Sequence, residues 1–418
     1  MSTELSVAYT LRKHESEVTA SKIVAQKGYF PVLISGDRDG LVLVWDLITR
    51  RSISTYRLES KAQISSINFV DQYVTVLSKD HCLRFFRLRN ECSTVSPTTR
   101  KGTTSGNSCN LKEVYSIPVN TLNFANVAIQ VLSENKYRLW CCNAENSECF
   151  DVYTFDLRDQ QSLKREFKAV NLYSNLTDAS NWNRSFTLDK TGIAMCFLEL
   201  AGLVYIGFEC GFVVGLRFVE HKDASRPSLE IVYASSVHYP EPVLSLCASC
   251  DGQTAYSSST TSTVGRHIVP ETGNCDIDDG CNTQTNGIRY RKGFALCNSS
   301  LDLETNEIAH IESVGHSLVA LNWKGQTVVA NKDETHVVGS KLRSNLLVDD
   351  SNVGSFSADK KPKNWIKASS VACLGKQVIT EDQFSSVGHR RRATQVAIRN
   401  WTFTGYEDGS IVMQAFAL

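Results

Sequence analysis

"LISGDRDGLVLVWDL", Leu33 to Leu47, is two apolar runs joined by a short polar turn that glycine flanks on both sides. Val32 to Ser35 have strand character, and "GDRDG" is the turn. The run holding Val42 and Val44 continues as a second strand, with no polar residue alternating through it. A strand of that kind is covered on both faces. A lone hairpin cannot cover itself, so this stretch demands further copies packed against it.

Four residue types give the stretch its register. A turn aspartate (Asp39), a strand serine (Ser35), a strand tryptophan (Trp45) and an upstream histidine (His14) stand at the spacing of a WD repeat. In such repeats these side chains form a buried hydrogen-bond chain. The reading therefore places Asp39 in the chain and leaves Asp37, nearer the strand, exposed. Other windows keep parts of the pattern. "VLSKDHCLRFFRL" (Val76 to Leu88) has Asp80 in the turn and Phe86 in the tryptophan place. "YIGFECGFVVGLRF" (Tyr205 to Phe218) has Cys210 in the aspartate place. "YSSSTTSTVGRHIV" (Tyr256 to Val269) keeps small turn residues and a second strand. "FTGYEDGSIVMQAF" (Phe403 to Phe416) has Asp408 in the turn and Gln414 for tryptophan. Apolar strands precede several of them: "ISSINF", "GIAMCF", "PVLSLC" and "ATQVAI". Weaker text, around "VNTLNFANVAIQVL" to "DVYTFDL" and "IAHIESVGHSLVALNWKGQTVVAN", supplies two more.

The sum is an all-β chain: a seven-bladed WD40 β-propeller, single over residues 1–418. Seven blades of roughly 40–45 residues need about 300. The remainder falls into polar loop insertions near 93–112, 159–184, 271–287 and 349–367. An eight-bladed ring or a pair of β-sandwiches are the alternatives. "SVAYTLRKH" reads as a strand that pairs into the last blade near Ile411–Ala415 and so closes the ring.

Lys+Arg and Asp+Glu both number 44, so formal net charge is zero, which removes a global electrostatic argument for nucleic acid. No apolar run is long enough for a transmembrane helix, and no membrane contact is expected. "MSTELSVAYTLRKHE" lacks the layout of a signal peptide. Fourteen scattered cysteines then read as reduced thiols of the cytosol or nucleus.

No catalytic or phosphate-binding motif is present. "CASC" (Cys247 to Cys250) has knuckle spacing, but its only partners would be Cys275 and Cys281 in an acidic loop. It reads as a core cysteine followed by one at a strand end. "CDIDDGC" (Cys275 to Cys281) lacks the ligand spacing of a calcium loop. No metal or cofactor is expected. "DKKPK" (Asp359 to Lys363) and "RRR" (Arg390 to Arg392) are short basic clusters with Trp365 and Trp401 nearby, read as solvated loops or as contacts for phosphate or an import receptor. In WD propellers the residue before the turn aspartate projects onto the rim around the channel. Those residues are Arg38, Lys79, Glu209 and Glu407. Two are basic and two acidic, which suits a protein partner better than a nucleic-acid backbone.

"LISGDRDGLVLVWDLITRRSISTY", "YTLRKHESEVT", "GFECGFVV", "EPVLSL" and "TGYEDGSIV" together resemble the fungal ASTRA-associated protein 1 family, related to the animal G-protein-β-like WD-repeat protein. The resemblance covers roughly residues 7–90, 190–270 and the last thirty. It implies a non-enzymatic scaffold or adaptor of the nuclear ASTRA complex, with the cytoplasm as a second compartment. Its partners would be ASTRA subunits, the helical-repeat co-chaperones of the Tel-interacting complex and AAA+ ATPases. The assembly's work would be maturation of phosphatidylinositol-3-kinase-related kinases and chromatin remodelling. The rival readings are a substrate receptor of a ubiquitin ligase, a Gβ-like signalling subunit, or a propeller enzyme.

Overall fold

The structure is a computed structural model that describes residues 5–90, 109–179, 188–220, 227–270, 282–285, 288–291, 296–332, 337–342, 366–379 and 386–416. Seven antiparallel blades account for nearly all of it. Blade 1 is Val18–Val24, Val32–Asp37, Leu41–Asp46 and Arg51–Arg57. Blade 2 is Ile64–Val70, Tyr73–Ser78, Cys82–Asn90 and Cys109–Pro118. Blade 3 is Ala128–Ser133, Lys136–Cys142, Phe150–Asp156 and Asp159–Val170. Blade 4 is Ala194–Leu200, Leu203–Phe208, Val213–Val219 and Ser228–Ser235. Blade 5 is Ser245–Ala248, Thr254–Ser258, Thr263–Ile268 and Ser300–Asp302. Blade 6 is Ile308–Val314, Ser317–Asn322, Gln326–Asn331 and Val337–Leu342. Blade 7 is Ala368–Leu374, Asn400–Tyr406, Ser410–Phe416 and, from the start of the chain, Ser6–Arg12.

Why the middle strands of blade 1 lack a polar alternation is visible in the packing. Leu33, Leu43 and Trp45 enter a core shared with Phe403 and Met413 of blade 7. Their neighbours Ile34, Val42 and Val44 enter a different core, shared with Ile64, Val76 and Phe86 of blade 2. Alternate residues of one strand thus serve two cores, as the period-2 geometry of a strand requires. The outermost strand, Arg51–Arg57, has lost that cover and alternates exposed with half-buried positions.

Ring closure follows the sequence expectation. Tyr9, Thr10 and Leu11 pair with Met413, Val412 and Ile411, and a bulge falls between Val7 and Tyr9. Blade-to-blade contact is tightened by a repeated device. Gly36, Gly207 and Gly405 sit at one position of the second strand in blades 1, 4 and 7. A Cβ at each would lie within 2.5–2.7 Å of Ile64, Val243 and Val18 respectively, the β-branched residues that lead the next blade.

Three expectations are corrected. "ATQVAI" is not the first strand of the last blade, because Ala368–Leu374 is. Residues 393–397 belong instead to helix α2, Val387–Ala397, capped by Ser386 at its start and Ile398 at its end. Ala393, Val396 and Ala397 supply a buried helical stripe there, which a period-2 reading misses. The stretch 159–184 is not a loop throughout. Asp159–Val170 is the outermost strand of blade 3, polar because both its faces meet water, and Tyr173–Ala179 is helix α1. In 271–287, Asn282–Thr285 pairs with Ile288–Arg291, which adds in parallel to Ser228–Ser235 of blade 4. The insertion near 93–112 ends in strand from Cys109, and 91–108 and 343–365 lie outside the described residues.

Gly36→Ala should therefore lower stability by about 1–3 kcal/mol, because Ile64 cannot move without opening the core it fills. Gly388→Ala, in open space on α2, should be neutral or stabilising by up to about 1 kcal/mol. Urea unfolding of the two variants checks both.

Candidate partner-binding face

The blade 1 network forms, with one substitution of role. Trp45 Nε1–H donates to Ser35 Oγ at 2.8 Å. Ser35 Oγ lies 2.7 Å from His14 Nε2, and His14 Nδ1 lies 2.7 Å from the Asp37 carboxylate. A proton on Nδ1 makes every link a donor–acceptor pair. The other Asp37 oxygen accepts the N–H groups of Asp39 and Leu41, both at 2.9 Å. The aspartate of the network is thus Asp37, 1% exposed, and not Asp39. Asp37 ends its strand opposite Val18 and points beneath the turn, whereas Asp39 sits exposed at the turn's tip. Two aspartates two residues apart are equivalent by pattern, and only the end of the sheet separates them.

Blade 5 carries a counterpart that the sequence pattern did not reveal. His238 Nε2, Ser257 Oγ and His267 Nε2 are joined at 2.7 and 2.6 Å. His267 Nδ1 then meets Tyr233 Oη at 2.9 Å, and that hydroxyl donates to the carbonyl of Cys297. Ser257 and His267 stand in the register of Ser35 and Trp45. The signal in the sequence is a histidine ten residues after a strand serine, in the place that tryptophan holds in blade 1. Burial holds both imidazoles neutral. It pulls His238 down to about 4 and, with the neighbouring His238 adding to it, His267 down to about 3. In blade 2, Asp80 is used differently again. Burial alone would raise its pKa, but hydrogen bonds from Arg84, Ser78 and Ser60 hold it at about 2.

The four rim residues do share one structural position. The N–H groups of Arg38, Lys79, Glu209 and Glu407 each donate to the residue leading their own blade, at Glu17, Gln63, Ile193 and Lys367. Their side chains differ in what they do. Arg38 reaches Glu17 at 3.6 Å. Glu209 and Glu407 accept the N–H groups of Ile193 and Lys367. Lys79 is turned inward. Its ammonium donates to the carbonyls of Thr121 and Asn123 at 2.7 and 2.8 Å and lies 5.3 Å over the Phe124 ring. Burial lowers its pKa. Lys79 therefore props the link between blades 2 and 3, which Asn120 and His81 also hold. The propped loop presents Leu122, 73% exposed, and Phe124, 87% exposed. An ordered backbone carrying exposed apolar side chains is preorganised for docking, since little entropy remains to be lost on binding. Neither residue was singled out by pattern, because a lone apolar residue in a loop carries no periodic signal.

The inner strands of all seven blades line an axial cavity of about 590 Å³. Lys22 and Glu312 form an ion pair at 3.3 Å in its wall, and Glu312 raises the Lys22 pKa. Cys247 is buried in the wall and Cys250 follows its strand. Cys250 Sγ accepts the Gly315 N–H. Cys275, Cys281, "CDIDDGC", "DKKPK" and Trp365 lie outside the described residues. Trp401 is a core residue whose Nε1–H donates to the Val396 carbonyl at 2.8 Å. No three His, Cys, Asp or Glu side chains converge as metal ligands among the described residues.

Comparison with known proteins finds long matches. A family model, described as ASTRA-associated protein 1, matches residues 7–414. The chain is 47% identical over 414 residues to the ASTRA-associated protein 1 of Lachancea thermotolerans, covering 98% of each. It is 37% identical to that of Kluyveromyces lactis over 408 residues, 96% of each chain. With that of Eremothecium gossypii it shares 36% over 411 residues, 97% of this chain and 99% of the other.

Two measurements follow from the networks. Asp37→Ala orphans two buried donors, on His14 and Leu41, and should cost about 1–3 kcal/mol, whereas Asp39→Ala should change stability by less than about 0.5 kcal/mol. Equal melting shifts would contradict the assignment. These two depressed imidazoles, with His310, which burial likewise pulls down to about 4, set an acid limit. The unfolded chain takes up protons near pH 6.5 that the folded blade refuses until about 4 and 3. Stability should thus be level above about pH 7 and fall between about pH 6.5 and 4, by up to about 3 kcal/mol per histidine. His267→Gln should melt lower at pH 7.5 and show a shallower decline on acidification.

Proposed function

This chain belongs to the ASTRA-associated protein 1 family, and on that premise we propose that it acts as a non-enzymatic scaffold subunit of the ASTRA complex in the nucleus. Its partners in this reading are the other ASTRA subunits, the helical-repeat co-chaperones of the Tel-interacting complex and the AAA+ ATPases. Its role is to hold them together while phosphatidylinositol-3-kinase-related kinases mature and chromatin is remodelled. The observation that carries the scaffold reading is the loop of Leu122 and Phe124. A soluble surface seldom leaves two large apolar side chains so exposed on an ordered backbone unless another protein covers them. Arg38, Glu209 and Glu407 belong to the same face and supply a mixed-charge surround. Steering and specificity fall to such a rim rather than the bulk of the affinity.

The test is purification of the tagged chain from its own cells, with ASTRA subunits quantified. Leu122→Ser with Phe124→Ser should keep the wild-type melting temperature and lose most of the co-purifying subunits. Lys79→Glu should do the same by releasing the loop. Recovery of those subunits at the wild-type level and salt sensitivity by the folded double variant would remove this loop from the interface.

A further inference from the structure

The ring is continuous along the chain except at one place. Blades 1 to 6 take their four blade strands in chain order. Blade 7 is assembled from Ala368–Leu374, Asn400–Tyr406 and Ser410–Phe416 together with Ser6–Arg12. Between Ser410–Phe416 and Ser6–Arg12 the circle is held by a backbone ladder and by packing, and the ladder is interrupted by a bulge between Val7 and Tyr9. A ring opened at this seam parts blade 1, which carries Ser6–Arg12, from blade 6, which carries the rest of blade 7.

Besides the ladder, two kinds of contact resist that parting. The first is local to the seam. The Ser370 hydroxyl donates to the Val18 carbonyl at 3.0 Å, and that of Ser369 donates to Glu17. Leu11, Phe403 and Ile411 share one core with Leu33 and Trp45. The second is a single ion pair inside the ring. Lys22 stands in the first strand of blade 1 and Glu312 in the first strand of blade 6. Ala368–Leu374 of blade 7 runs between those two strands and packs against both. The two charges nevertheless meet at 3.3 Å in the wall of the axial cavity. The other ion pairs among the described residues lie within one blade or between neighbouring blades. This pair alone skips a blade, and the blade it skips contains the seam.

Its setting makes the pair count. The side chains are 36% and 25% exposed, so salt and water screen them less than they screen a pair on the outer surface. Among the described residues, neither has a second partner of opposite charge within 4 Å. Removing one charge therefore leaves the other partly buried and uncompensated, which costs more than the lost attraction.

We propose that the ring opens locally at this seam and that Lys22–Glu312 is the bolt that sets how often it does so. The pair ties the two sides of the break to each other directly. Its loss weakens closure first and leaves the interiors of the remaining blades as they were. The bolt uses no residue of the loop that carries Leu122 and Phe124, so it stands or falls apart from the scaffold reading.

The test is amide hydrogen exchange on the full chain, read by mass spectrometry as the ratio of exchange in the seam (Thr10–Arg12 and Ile411–Gln414) to exchange in Leu139–Cys142 of blade 3. Glu312→Gln and Lys22→Met should each raise that ratio at least about threefold. The double variant should raise it no further, since either change already removes the pair. The charge-swapped chain, Lys22→Glu with Glu312→Lys, should bring the ratio back toward wild type. Arg158→Gln, which breaks the pair with Asp156 outside the cavity, should leave it unchanged. A measurement without substitution accompanies these. Moving wild type from about 0.1 to about 1 M sodium chloride shortens the screening length and should also raise the ratio. Equal acceleration in the seam and in blade 3 would reduce the pair to an ordinary stabilising contact. A ratio that neither the substitutions nor salt raises would show that it bolts nothing. Either result overturns the proposal.

Discussion

The constraint on which everything else depends is that the middle strands of the blades are covered on both faces. Leu33 and Ile34 are neighbours in one strand, yet they lie in different cores, one completed by blade 7 and the other by blade 2. No blade can satisfy this alone, and no open array can satisfy it at its ends. A closed ring is the solution, and Ser6–Arg12 on Ser410–Phe416 is the seam that closes it. The glycines at 36, 207 and 405 express the same demand at atomic scale, since each leaves space into which the leading residue of the next blade packs.

The polar interior obeys a looser rule. A buried donor must find an acceptor, but many side chains can supply one. Blade 1 uses histidine, serine, tryptophan and aspartate. Blade 5 keeps the histidine and serine, replaces tryptophan by His267 and passes the last proton to Tyr233 of the preceding blade. Blade 2 abandons the pattern for an arginine–aspartate pair. Repeats drift in sequence while the ring persists because the low-dielectric interior penalises an unmade hydrogen bond, not a change of residue identity. His238 shows the residue of that drift. Ser259 stands where blade 1 has Asp37, and among the described residues His238 Nδ1 has no hydrogen-bond partner.

Function on such a scaffold sits where the ring does not need the residues it carries. The link between blades 2 and 3 could be short and polar, yet it is braced by Lys79 to present Leu122 and Phe124. The connection inside blade 7 could be a tight turn, yet it contains a docked helix with a basic outer side. The two features lie on opposite faces of the ring.

Legibility in the sequence followed periodicity. The strand–turn–strand text of blade 1, its weaker copies and the strand that closes the ring were readable because each is a local pattern repeated under one packing demand. The family resemblance rested on those same stretches. The choice between Asp37 and Asp39 was not readable, since it depends on where the sheet ends in space. Nor was the role of Lys79: as text it is a rim charge, and only the approach of residues 121–124 from the next link makes it a brace. The helix at 387–397 was hidden by a short apolar run that fits period 2 and period 3.6 alike, and its contact with Trp401 and the blade 7 core decided between them. The sequence by itself determined the architecture, because every blade repeats the same local demand. Tertiary structure alone decided which polar groups meet and which apolar ones stay exposed, because those contacts join residues from different blades and loops that no local pattern relates.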